Sequence, residues 1–89
     1  MENTPKVHVT LYTRPGCHLC EDARREMLAA HCQDLYSLQE INIDTDPALI
    51  RRYGWEIPVV VVNGVDTFKN RLTSAEFERE IRRVLASDI

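Results

Sequence analysis

The 89 residues predict an α/β fold in which a four-stranded mixed sheet is flanked by three helices, in the order β-α-β-α-β-β-α. Three observations carry this expectation. Short β-branched or alternating runs are interleaved with segments of helical period; Asp46-Pro47 and Thr73 with Glu76 mark two helix starts; and Asn63-Gly64 joins the last two strand-like runs as a hairpin. A right-handed crossover through the first helix makes the first two strands parallel, and the hairpin adds two antiparallel ones.

Residues 1–6, polar and carrying Pro5, read as a flexible N-terminal tail, and residues 7–89 as one domain with one hydrophobic core. In Val7–Thr13, Val7, Val9 and Leu11 alternate with His8, Thr10 and Tyr12, the period of a strand; His8 and Tyr12 are read as ordinary sheet residues. Arg14-Pro15-Gly16 breaks it. From Cys17 onward Leu19, Ala23, Met27 and Ala30 recur at helical spacing, with Glu21, Asp22, Arg24 and Arg25 opposite, which predicts a helix to about Cys32 with Glu21 supporting Arg25. Leu38–Ile43 is the second strand, and the slip of its apolar phase between Leu38 and Ile41 predicts a bulge.

Asp46 is an N-cap acceptor before Pro47, whose missing N–H costs nothing there, and Arg51, Arg52 and Gly54 close this short second helix. Pro58 opens Val59–Val62, β-branched throughout and so expected to be buried on both faces. Val65–Phe68 returns antiparallel after the Asn63-Gly64 turn. Thr73 and Glu76 then form a capping box, and Phe77, Ile81, Val84 and Leu85 make the apolar stripe of the third helix.

With 44% hydrophobic and 28% charged residues the chain has ordinary globular usage, which excludes a disordered or low-complexity reading. The net charge of -3 is spread in alternating sign without a basic stripe, so no nucleic-acid partner is expected. No run of about 18 apolar residues occurs and Met1–Lys6 has no secretory apolar stretch, so a cytoplasmic chain with no membrane partner is expected. Three cysteines, an odd number, do not make a disulfide framework.

Two of them form Cys17-His18-Leu19-Cys20, where a strand ends and a helix begins. A sulfur at a helix N-terminus meets unpaired N–H groups and the positive end of the dipole, so Cys17 is expected to be the more acidic thiol and the nucleophile. Cys20 returns to the same face one turn later, within disulfide reach, as the resolving thiol that displaces a mixed disulfide. Arg14 and protonated His18 favour the Cys17 thiolate, whereas Glu21 and Asp22 oppose it. The alternatives are two small buried hydrophobes, or part of a metal site. Zinc needs four ligands, and the remaining candidates, His31 and Cys32, stand about 20 Å away along a continuous helix, so no metal is expected within one chain. An iron-sulfur or zinc module bridging two chains through Cys17 stays open as the alternative reading. Cys32 is expected to be a buried bystander.

Together, Leu11-Tyr12-Thr13-Arg14-Pro15-Gly16-Cys17-His18-Leu19-Cys20, Tyr53-Gly54, Ile57-Pro58 and Asn63-Gly64 resemble the thioredoxin superfamily, and in layout a small glutaredoxin-like protein, over nearly all of Val7–Leu85. The resemblance implies a thioredoxin-like fold and a dithiol-disulfide oxidoreductase working in electron transport and cell redox homeostasis. Its partners would be a disulfide-bearing protein or small molecule and a thiol reductant or reductase, with glutathione as co-substrate, no bound cofactor and a monomeric chain. It also implies that Pro58 is cis and that the backbone of Ile57 offers strand-like hydrogen bonds to a bound peptide or glutathione. Arg14 matches a position often basic in the family and, with Arg71, is a candidate for binding a substrate carboxylate. Trp55 either forms an apolar platform beside Cys17 or caps the core beneath the second helix. Two positions depart from the glutaredoxin pattern: Lys69-Asn70-Arg71 stands where a Gly-Gly pair helps hold glutathione, and His18-Leu19 stands where Pro-Tyr is common.

Overall fold

A computed structural model describes residues 7–87, so the expected tail at residues 1–6 lies outside the described residues. The strands β1 (Val7–Thr13), β2 (Tyr36–Asn42), β3 (Val59–Val62) and β4 (Val65–Lys69) form one sheet in the order β2-β1-β3-β4. β1 is parallel to β2 and antiparallel to β3, and β3 is antiparallel to β4. The helices are α1 (His18–Ala29), α2 (Pro47–Tyr53) and α3 (Ser74–Ser87), which gives the expected β-α-β-α-β-β-α order.

The four valines of β3 divide the core. Val60 and Val62 join Val9, Leu11, Ala23, Met27, Phe77 and Ile81 on the face covered by α1 and α3. Val59 and Val61 join Ile43 and Tyr53 on the opposite face, under α2. A strand buried on both faces has no polar side to offer, which is why this run is β-branched throughout.

Local signals form as read. Asn63 and Gly64 both take positive φ, 49° and 83°, the geometry of the tight hairpin turn whose twist matches its strands. Asp46 Oδ1 accepts the Ala48 N–H at 2.9 Å with Pro47 in the first helical turn. Thr73 Oγ1 accepts the Glu76 N–H and Glu76 Oε1 accepts the Thr73 N–H, both at 3.1 Å. A third donor of that helix end, the Ser74 N–H, goes to Glu26 Oε1 of α1 at 2.8 Å and so ties α1 to α3.

Four expectations are corrected. α1 ends at Ala29, short of Cys32, because His31 takes a left-handed φ of 56° and turns the chain. Its buried stripe is Cys20, Ala23 and Met27, leaving Leu19 at 45% exposure, since the helix is entered one residue after Cys17 and that sets its rotation. Arg25 pairs with Asp22, one turn back, in place of Glu21. β2 carries no bulge: its register with β1 runs unbroken from Val7↔Tyr36 to Thr13↔Asn42, starting earlier than Leu38, while Ile43 enters a 3-10 turn (Ile43–Thr45). As an edge strand with exposed Glu40 and Leu38, β2 is under little pressure to alternate strictly, whereas the register shift falls in β3 against β4, between Val60 and Val61. Among the described residues no helix is long and apolar enough to cross a membrane.

Candidate active site

The site is built at the end of the sheet where β1 and β2 finish. Thr13 and Asn42, the last residues of these strands, are paired, and Val59 of β3 is opposite Tyr12, so Pro58 arrives at this same end. Ligand sites in sheets of this kind form beyond the carboxyl ends of parallel strands. After β1 the chain turns through Gly16, whose φ of 80° suits a residue without Cβ, and delivers Cys17 to the N-cap of α1.

Cys17 takes the cap with φ -90° and ψ 106°, and its Sγ accepts the Cys20 N–H at 3.1 Å. The cap acceptor that Ser or Asp usually supplies is here a sulfur, set against the positive end of a helix dipole. Cys17 and Cys20 are joined as a disulfide across a Cα–Cα distance of 5.2 Å, well within the permitted range. Cys17 is partly exposed, whereas Cys20 is 2% exposed and belongs to the buried stripe of α1. One sulfur is thus open to attack or to attacking, and the other is sheltered behind it.

A cleft of about 210 Å³ opens onto the pair, lined among others by Arg14, Gly16, Glu21, Arg24 and Asn42. Arg14 is brought there as expected, but its charge is already matched: Nε and Nη2 donate to Asp44 Oδ1 at 3.0 and 2.7 Å. Arg24 is likewise occupied, donating to both oxygens of Glu40 at 2.6 to 3.1 Å. Side chains therefore offer Cys17 little uncompensated positive charge, and the backbone at the start of α1 is the favourable electrostatic partner.

Arg14 also lines a second cleft, of about 170 Å³, with Ile50, Gly54 and Trp55. Trp55 is 97% exposed, which removes the core-capping alternative: nothing of its ring is buried beneath α2. Pro58 is buried and its peptide bond to Ile57 is cis. The Ile57 N–H, however, donates to the Tyr53 carbonyl at 3.1 Å. Of the Ile57 backbone groups expected to offer strand-like hydrogen bonds, the N–H is thus engaged within the chain, while the carbonyl accepts no backbone hydrogen bond from the described residues. Where Gly-Gly was missing, Asn70 nevertheless takes a left-handed φ of 71° and gives its N–H to the Pro58 carbonyl at 2.9 Å, fixing the exit of β4 to the proline. Arg71 lies apart from Arg14, on a cleft of about 380 Å³ shared with Leu19, Glu26 and Thr73.

Cys32 packs in the cluster holding Val7 and Tyr36, the residues paired at the opposite end of β1 and β2, about 20 Å of strand from the motif. It is 0% exposed, and burial pushes its thiol pKa above the ordinary value. In the reduced protein, iodoacetamide at neutral pH is therefore expected to label Cys17 readily while Cys32 reacts only after denaturant is added; fast native labelling of Cys32, read by peptide mass, would contradict this placement. Among the described residues no group of three or more His, Cys, Asp or Glu side chains comes together to hold a metal ion. Two contributors escaped the sequence reading: Asp44, whose pairing with Arg14 spans 30 residues and leaves no local trace, and Asn42, whose Oδ1 accepts the Asp44 N–H at 2.9 Å. The Asn-x-Asp spacing that makes this turn was readable as a turn signal.

The sheet order and a vicinal cysteine pair capping the first helix define a thioredoxin-fold protein of the two-cysteine class. More particularly, the chain belongs to the glutaredoxin-like domain (DUF836) family, which it matches over residues 8–83. It is similar to a thioredoxin of Methanocaldococcus jannaschii, 30% identical over 83 residues that cover 90% of this chain and 98% of the relative. Among solved structures it resembles a structural-genomics protein of X. campestris, with a TM-score of 0.74 at 25% identity over 84% of this chain and 96% of that one. Chloroplastic thioredoxin z shares the fold, with a TM-score of 0.72 at 17% identity over 96% of this chain and 81% of its own.

Proposed function

We propose that this protein is a thiol-disulfide oxidoreductase that reduces disulfides in proteins or small molecules with Cys17 as nucleophile and Cys20 as resolving thiol. The observation that carries the reading is the asymmetry of the pair: a partly exposed Cys17 sulfur accepts the Cys20 N–H at the start of α1, and Cys20 lies buried behind it. Hydrogen bonding and the helix dipole both favour the thiolate over the thiol at the position that must attack.

In the reduced protein the Cys17 thiolate attacks one sulfur of the substrate disulfide; that S–S bond breaks, and the leaving thiolate takes a proton from solvent. Cys20 then loses its proton and attacks the Cys17 sulfur of the mixed disulfide, releasing the second substrate thiol and forming the Cys17–Cys20 disulfide. The substrate gains the two electrons that the dithiol loses, and an external thiol reductant or a reductase returns them. Glutathione fits this reductant role by chemistry, as a co-substrate that is never a bound cofactor. The exposed ring of Trp55, the side chain of Arg14, the Ile57 carbonyl and buried Pro58 would shape the substrate groove at the same end of the sheet. A monomer in a reducing compartment such as the cytoplasm is the setting in which such a couple works as a reductase.

Equilibration in glutathione redox buffers under anaerobic conditions, followed by alkylation and intact mass, tests this reading. A two-electron transition confined to Cys17 and Cys20, with Cys32 still a thiol, is the expected result. If the pair stays reduced both across that range and with a stronger dithiol oxidant, the oxidoreductase reading fails.

A further inference from the structure

The electron-transfer steps make no use of the Arg14–Asp44 pair, although Arg14 lines both the disulfide cleft and the Trp55 cleft. A guanidinium in that place would anchor a carboxylate on any substrate reaching Cys17. Asp44 already holds that position, taking hydrogen bonds from Nε and Nη2 on a single oxygen. Its own placement is built: the Asp44 N–H donates to Asn42 Oδ1 at 2.9 Å, the Thr45 hydroxyl donates to the Asn42 carbonyl at 2.8 Å, and Ile43 beside it is fully buried. The pair is 34% and 42% exposed, so a substrate anion can reach it and must compete with Asp44.

The remaining charges around Cys17 add to the effect. Arg24 is neutralised by Glu40, whereas Glu21, on the same cleft, has no salt-bridge partner among the described residues, and Asp22 is matched by Arg25. With both cations of the cleft paired, Glu21 is the uncompensated side-chain charge of its lining, opposed by the backbone at the start of α1. His18 is exposed and faces solvent.

We propose that Asp44 is a specificity-determining residue: by occupying Arg14 beside the Cys17–Cys20 pair, it disfavours negatively charged disulfides relative to neutral or cationic ones. The proposal rests on the redox reading of that pair. A carboxylate-bearing substrate either displaces Asp44, which then stands as an unpaired like charge beside it, or goes without a cation; both raise its cost relative to an uncharged competitor.

The test uses reduced full-length protein at low ionic strength, where screening is least, and compares how fast Cys17 reacts with anionic iodoacetate and neutral iodoacetamide. In each case the thiolate displaces iodide and forms an S–C bond, so the ratio of the two rates cancels the thiolate fraction and reports the local field. Asp44→Asn is expected to raise the iodoacetate-to-iodoacetamide ratio about threefold, and Arg14→Gln in that background to bring it back down. Asp44→Ser gives the same reading should the amide disturb the turn. A ratio unchanged in both Asp44 variants overturns the proposal, as does a rise that survives loss of Arg14. Alkylation needs no turnover, so the two failures are distinguishable: a protein inert toward every disulfide overturns the redox reading and the disulfide preference with it, even where the ratio still shows Asp44 masking Arg14, while an active protein with an unchanged ratio sinks this proposal alone.

Discussion

Cys17→Ser is expected to abolish disulfide reduction, with a fall of at least about 1,000-fold, because a serine hydroxyl is hardly ionised at neutral pH and cannot form the mixed disulfide. Cys20→Ser separates the two roles. It keeps the backbone N–H that Cys17 Sγ accepts, so the first attack proceeds, but no neighbouring thiol remains to release the protein from its substrate. A single turnover should therefore leave a stable Cys17 adduct, visible by intact mass and discharged only by added thiol. Full activity in Cys17→Ser, or an adduct on Cys20 in the native protein, would reverse the assignment. The burial of Cys20 sets the direction of this expectation: at 2% exposure it can meet Cys17 after α1 has formed but cannot meet an incoming disulfide.

The motif and the fold were legible for one reason, and much of the remaining chemistry was hidden for its complement. Asn63-Gly64, Asp46-Pro47 and the Thr73–Glu76 box satisfy backbone groups within a few residues of themselves, so their outcome is set locally and the structure repeats it. Cys17-x-x-Cys20 is local in the same sense, since one helical turn fixes the distance between the sulfurs. By contrast, the rotation of α1 that buries Cys20 and exposes Leu19 depends on where the sheet lies beneath it. The end of that helix depends on a left-handed His31, a residue type that carries only a weak turn signal. Arg14 read as a free cation because Asp44 arrives from another strand's end, and Ile57 read as a backbone dock because nothing in Ile57-Pro58 tells that its N–H closes the turn after α2. Family resemblance was right about the cis bond at Pro58, while the hydrogen bonds around it belong to this chain.

Phe77→Ala is expected to be the most damaging single core substitution for stability. Phe77 is 0% exposed at the first turns of α3 and meets the sheet through two aromatic rings: Tyr36 edge-on at 5.2 Å between centroids, and Phe68 tilted at 6.4 Å. These rings come from β2 and β4, the two outer strands, so one side chain fastens both edges of the sheet to one helix. Truncation removes the transfer energy of the ring, leaves a cavity and deletes both aromatic contacts, a loss of about 3–5 kcal/mol. A domain of this size has about 5–15 kcal/mol in all, so the urea midpoint should fall by about 2 M or more. Phe77→Leu fills most of the volume and should cost no more than about 1.5 kcal/mol. Equal midpoints for the two variants would mean that the rings, and the edges they hold, do not bear on α3. The helix also has a polar tie, the Ser74 N–H on Glu26 of α1, but that bond is half-exposed and worth only about 1–2 kcal/mol. It sets where α3 starts; without the ring behind it, it cannot hold α3 against the sheet or α1 in the position that presents Cys17.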